Sequence, residues 1–286
     1  MTLQMKTAPG KKTKARLLGL ALLFSLAAGG ARPASALTFG LNFVTGPTLD
    51  TFSVGTTAAD YSGFGFSGMS TAQIQQSILD AVIADYLAYP TVGENPLSPL
   101  QNGLGLNIDF ILTTNTLAPL NADPEYFFVA IGNGTTGESF LGQACYACVR
   151  TAAGGGASAG AGTLIGSILV DNIASLAGLA TTNAQRIQLL AGTIAHEIGH
   201  ALSLVHPNGM QANPGASPYD LMATGAEPTN MPNSERVKDR AFSYTQFDQL
   251  IGAVGTRDFA VPEPAGMWLS GMGVLLVAGT RWRRRG

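Results

Sequence analysis

Cysteine is nearly absent from this 286-residue chain, where only Cys145 and Cys148 occur. So small a set excludes a disulfide-stapled scaffold, and without a second pair it leaves no four-cysteine zinc site. In an oxidising compartment the pair is expected to close a local disulfide that pins one loop. The sharper alternative is a redox-active pair, but that needs a Cys-x-x-Cys opening a helix in a βαβ unit, and no such context surrounds Gln143-Ala144-Cys145-Tyr146-Ala147-Cys148. Positive charge is scarce once the two ends are set aside. Of the 16 Lys and Arg residues, 10 lie in the first 36 and last 6 positions, while all 18 acids lie between Leu37 and Pro264, so the body carries 6 − 18 = −12. Such a surface is expected to repel nucleic acid and anionic lipid and to favour solubility of the body. No calcium-loop pattern appears among the scattered acids, which leaves calcium sites open.

The ends have targeting character and are removed before the fold is read. Lys6, Lys11, Lys12, Lys14 and Arg16 precede an apolar run from Leu17 to Ala28, and Ala34-Ser35-Ala36 closes it with small residues. Residues 1–36 are therefore expected to be a secretory signal peptide cut before Leu37, since the apolar run is shorter than the roughly 20 residues that span a bilayer. At the other end Val261-Pro262-Glu263-Pro264 leads into an apolar stretch from Ala265 to Thr280, then Arg281, Trp282, Arg283, Arg284 and Arg285. The arginines favour the cytoplasmic face, which leaves the body outside. Pro262, Glu263 and Pro264, one hydrophobic helix and a basic terminus resemble the PEP-CTERM sorting signal of bacterial surface proteins. That resemblance implies a sorting enzyme of the exosortase type, export machinery and transient anchoring of residues 261–286 in the membrane. A plain C-terminal anchor is the alternative and gives the same topology.

Between these ends no composition break appears, so residues 37–260 are expected to form one domain. Strands are predicted at Leu37 to Val44, where Leu37, Phe39, Leu41 and Phe43 alternate with polar or small residues, and at Leu106 to Thr114, Tyr126 to Ile131 and Leu164 to Val170. Helical spacing of Ile74, Ile78, Ala81, Val82, Tyr86 and Leu87 predicts a helix over Thr71 to Tyr89. The run from Gly154 to Gly162 reads as a flexible loop. A second helix is expected to start near Thr182, with Gln185 completing a capping box and Ile187, Leu190, Ile194, Ile198 and Leu202 forming its apolar face. An irregular passage from Pro207 to Asn233 precedes a last helix over Thr245 to Val254. This order predicts an α+β domain, a twisted mixed sheet packed on a central helix.

Histidine is rarer than any other chemistry-bearing residue except cysteine, yet all three fall within eleven positions, at His196, His200 and His206. His196-Glu197-Ile198-Gly199-His200 is the H-E-x-x-H pattern. Residues four apart on a helix differ by only about 40° in direction and about 6 Å in rise, so both imidazoles can reach one ion. Glu197 then stands beside a water held by that ion and can take its proton. A straight helix would carry His206 about 15 Å along the axis from His196, so the chain must turn. Pro207 helps, because the residue before a proline is biased away from helical angles. Three histidines and an open fourth position make a catalytic zinc site, and three imidazoles favour zinc.

The stretch resembles the metzincin zinc metalloproteases, whose pattern is H-E-x-x-H-x-x-G-x-x-H followed by a methionine turn. His196, Glu197, His200 and His206 match position for position. Ser203 stands where the family usually has glycine, at a cost on the order of 1 kcal/mol for a left-handed turn. Within Tyr219-Asp220-Leu221-Met222-Ala223-Thr224 the resemblance makes Met222 the packed floor under the metal histidines; the alternative is a methionine filling a loop. Tyr219 either donates a hydrogen bond to the developing oxyanion or only packs. Glu227 or Glu235 as third ligand in place of His206 would resemble other zinc peptidases. The expected activity is hydrolysis of protein or peptide substrates by one zinc ion at the bacterial envelope, with Glu197 as base. The competing readings are a surface protein that the metal only stabilises, and a protease restricted to itself or one partner.

Overall fold

The computed structural model describes residues 37–44, 48–49, 54–87, 104–113, 126–135, 137–149 and 163–258. The expected signal peptide, the glycine-rich run 154–162 and the sorting signal with Pro262, Glu263 and Pro264 lie outside the described residues. So do Tyr89 and Thr114, the expected ends of a helix and a strand. In chain order the elements are β1 (Leu37–Phe43), β2 (Thr48–Leu49), β3 (Gly55–Thr57), α1 (Thr71–Leu87), β4 (Leu104–Leu106), β5 (Ile108–Thr113) and β6 (Tyr126–Gly134). They continue with β7 (Gly142–Ala144), β8 (Thr163–Leu169), α2 (Val170–Ala174), α3 (Asn183–Ala201), α4 (Tyr244–Val254) and β9 (Thr256–Asp258).

The sheet is mixed. β1 lies between β5 and β6 and runs parallel to both, β8 runs parallel on the far side of β6, and β7 closes that edge antiparallel to β8. β1 was expected to bury alternate residues, but Gly40 and Asn42 are buried as well. A strand flanked by parallel neighbours and covered on both faces loses its polar side. One face carries Phe39, which packs against the rings of Phe110 and Phe127, at 5.8 and 6.0 Å between centroids. Helices α1 and α3 are joined through Tyr86, fully buried, whose hydroxyl donates to the Ala195 carbonyl at 2.9 Å. The Tyr86 ring also meets Phe110 and Phe242, so sheet, both helices and the segment before α4 share one apolar core.

The strand expected over Leu106 to Thr114 is two strands. Asn107 breaks it, because its amide donates to Gly255 while its carbonyl accepts from Leu37. β4 therefore leaves the main sheet and pairs antiparallel with β9. The last helix begins one residue before its expected start and is capped by Ser243, with Gln246 completing a capping box. Among the described residues no helix is long and apolar enough to cross a membrane.

Candidate metal centre

Helix α3 starts as its sequence predicts, with the Thr182 side chain accepting from the Gln185 amide and the Gln185 side chain accepting from the Thr182 amide. Its far end positions the site. The Ser203 amide donates to the His200 carbonyl and the Leu204 amide reaches back to the Gly199 carbonyl at 2.9 Å, with Ser203 in the left-handed region at φ 77°. This is a Schellman ending, which glycine normally occupies at the left-handed residue. It reverses the chain within one turn and brings His206 back beside the helix. Beyond it, the Thr229 hydroxyl donates to the Pro207 carbonyl at 2.6 Å and holds the returning segment.

The three Nε2 atoms converge. His196 to His200 is 3.1 Å, His196 to His206 is 3.2 Å and His200 to His206 is 2.9 Å. The Nδ1 of His196 lies 3.0 Å from the Leu221 carbonyl and that of His200 lies 2.9 Å from the Leu204 carbonyl. A carbonyl only accepts, so each Nδ1 carries the proton and each opposing Nε2 presents a lone pair. Burial, as the largest cause, pushes all three imidazoles below the usual histidine range. Neutral rings turning lone pairs toward one point repel one another unless a cation lies between them. Four donors about 2.0–2.1 Å from a tetrahedral zinc stand roughly 3.3 Å apart, close to the spacing here. The residues thus fit a metal ion, and His196, His200 and His206 are positioned to bind one.

Glu197 is buried beside this triangle. Its side chain lies against β7, where a Cβ added to Gly142 would come 2.9 Å from Glu197 Cγ. Burial raises its carboxyl to about 8, with Arg236 and the Ala144 amide tempering the rise. β7 can approach so closely because Gly166 of β8 has no Cβ to meet the Gln143 carbonyl. A cleft of about 540 Å³ opens over the triangle, walled by β7 on one side and by Thr224, Gly225, Ala226, Asn233 and Arg236 on the other.

Met222 is fully buried, with its sulfur 2.6 Å from where a Cβ on Gly199 would stand, so it packs on α3 between the first two histidines. Tyr219 is not among the residues lining the cleft. Glu235 is engaged by the Ser217 hydroxyl and Lys238, Glu227 is exposed, and neither joins the histidines. Cys145 and Cys148 are joined as a disulfide. Their loop serves the same helix, because the Ala147 and Val149 amides donate to the carbonyls of His200 and Ala201.

Several site residues have no motif. Gly142 and Ala144 lie on a three-residue strand too short for any periodicity. Arg236 and Arg240 sit in a polar passage that reads as surface. Arg240 is buried, and its Nη1 lies 3.4 Å from the Leu221 carbonyl and 3.5 Å from that of Ala223, on either side of Met222. Comparison with models of known protein families gives no match, and comparison with curated proteins gives none either.

Proposed function

We propose that the chain is an exported zinc-dependent endopeptidase of metzincin type. The observation that carries this reading is the triangle of Nε2 atoms set beside a buried glutamate in an open cleft. A structural ion needs only the histidines, whereas a base also needs a carboxylate beside them, and Glu197 supplies one that makes no ion pair within 4.0 Å among the described residues. His196, His200 and His206 would hold the zinc, which when bound supplies a Lewis acid for the peptide carbonyl and an acidified water. Glu197 takes the proton of the attacking water and returns it to the leaving amine nitrogen. Gly142 and the Ala144 amide fix that carboxylate, and Met222 supports the helix that carries it.

The edge of β7 supports a substrate in extended form. Leu141 and Cys145 bond to β8 through the Leu141 carbonyl and the Cys145 amide. Backbone groups alternate along a strand, so those of Gly142 and the Ala144 carbonyl turn to the cleft side, the Ala144 amide being taken by Glu197, and an extended peptide can add there as a further strand. Export and surface sorting rest on the sequence of residues 1–36 and 261–286. An exosortase-type enzyme and a membrane held before processing are the partners this implies.

The test is casein hydrolysis by the purified protein as isolated, after chelation, after zinc return, and as Glu197→Gln. Cleavage that chelation removes, zinc restores and Glu197→Gln abolishes is the expected result. One zinc per chain without any cleavage would sink the peptidase reading and favour a metal that only stabilises the fold.

A further inference from the structure

Among the described residues, Arg236 is the one group in the cleft with a formal charge that the proposed chemistry leaves unused. Glu197 and Arg236 are the two residues of ordinary formal charge in its lining. Arg236 follows the 3-10 turn Asn233–Glu235, and its Nε donates to Asn233 Oδ1 at 3.2 Å. That bond fixes the plane of the guanidinium but leaves the two terminal nitrogens without a hydrogen bond among the described residues. Gly225 makes room for them, since Nη2 lies 3.4 Å from where a Cβ on Gly225 would stand. The side chain is half-buried, and among the described residues no carboxylate lies within 4.0 Å of it. The charges that act on it are Glu197, whose carboxylate also takes the Ala144 amide, and the like charge of Arg240.

A half-buried cation that only Glu197 offsets, and from beyond ion-pair distance among the described residues, is under-compensated, and a fork of two N–H groups matches one carboxylate. Building on the peptidase reading, we propose that Arg236 is the anion-recognising subsite of the cleft and selects peptides with an aspartate or glutamate side chain next to the scissile bond. Lysine at that position is rejected by the same charge. The chemistry required is a carboxylate, which a peptide can also supply at its C-terminus, so the test separates the two sources.

The experiment compares kcat/KM on quenched peptides that differ at one residue flanking the cleaved bond, carrying Asp, Asn or Lys there. Each peptide is made with an amidated and with a free C-terminus. Charge-assisted hydrogen bonds predict that the purified protein prefers Asp to Asn by about 10- to 100-fold on amidated peptides. The ratio should fall to near one in Arg236→Gln, survive in part in Arg236→Lys, and turn toward Lys in Arg236→Glu. Equal rates on Asp and Asn peptides, or a preference that persists in Arg236→Gln, overturns the proposal. A preference for free over amidated ends that exceeds the Asp effect overturns the side-chain source. If the zinc-loaded protein cleaves no peptide, the peptidase reading fails separately. The subsite is then judged by calorimetry of the amidated Asp peptide on Glu197→Gln. Binding that the added Arg236→Gln removes supports the subsite; no binding, or binding that Arg236→Gln leaves intact, overturns it.

Discussion

Ser203→Gly is expected to stabilise the protein, which is unusual for a substitution between two metal-binding residues. Ser203 holds φ 77° at the end of α3, where its Cβ crowds the following carbonyl. That conformation costs an L-residue about 1–2 kcal/mol, and glycine escapes it. Glycine in turn loses more chain entropy on folding, about 0.5–1 kcal/mol. The Ser203 side chain is exposed, so its removal leaves no hole. The net gain is about 0.5–1 kcal/mol, or roughly 1–4 °C in Tm for a domain of this size. The assay is thermal and urea unfolding of both proteins in chelator, because bound metal adds its own mass-action stabilisation. Ser203→Val is the companion, and a β-branched side chain in this region should cost more than 1 kcal/mol relative to serine, by the order of that left-handed penalty. A glycine variant no more stable than wild type, or a valine variant as stable as wild type, would refute the Schellman ending that returns His206 to the helix.

Gly142→Ala places a methyl group against Glu197 Cγ and the Ile168 side chain, at 2.9 and 3.0 Å. Overpacking of this kind costs about 1–3 kcal/mol, so casein hydrolysis should fall by about 10-fold or more while zinc per chain, read by atomic absorption, stays the same. Unchanged activity, or metal lost along with it, would separate β7 from the base. Asp220 is fully buried, and among the described residues neither carboxylate oxygen makes a well-formed hydrogen bond, although the Met222 and Ala223 amides and the Ser243 hydroxyl lie close. Burial raises its carboxyl to about 6. A folded value above the unfolded one means that stability is fully present below about pH 4 and declines as pH rises toward 6, by on the order of 3 kcal/mol. Asp220→Asn lacks that decline. The stability difference between variant and wild type, from urea unfolding in chelator, should therefore move in the variant's favour between pH 4 and pH 7, and a difference flat with pH would count against the buried charge.

What the sequence disclosed and what it hid divide along physical lines. The start of α3 was legible because the capping box of Thr182 and Gln185 is local, and Ser203 could be flagged because left-handed turns favour glycine. The histidines were legible because helical spacing alone puts His196 and His200 on one face. Ser243 and Gln246 carry the same capping signal before α4 and could have fixed its start. β7 was not legible, since Gly142-Gln143-Ala144 has neither length nor alternation, and its position over Glu197 is set by β8. The split at Asn107 was hidden as well, because only the spatial neighbours Leu37 and Gly255 take its backbone groups.

The supports of the metal centre explain why its outer parts leave no motif. His196 is oriented by the Leu221 carbonyl and His200 by the Leu204 carbonyl, and any residue could supply either oxygen. What matters is where the two turns place them. The Leu204 turn is held by Gly199 through the backbone, and the Leu221 carbonyl is approached from the other side by the buried Arg240. Burial and Arg236 push that guanidinium down only to about 10, with Asp85 and Asp220 opposing the fall, so it stays charged near neutral pH. Asp85, on α1, acts on Arg240 without an ion pair within 4.0 Å among the described residues, and burial raises its own carboxyl well above the usual range. Losing Arg240 would remove the cation that lowers the carboxyls of both Asp85 and Asp220 and would leave the Leu221 and Ala223 carbonyls without its N–H groups. The ligands are thus fixed by a short sequence pattern, whereas their aim depends on turn carbonyls held by contacts from distant segments.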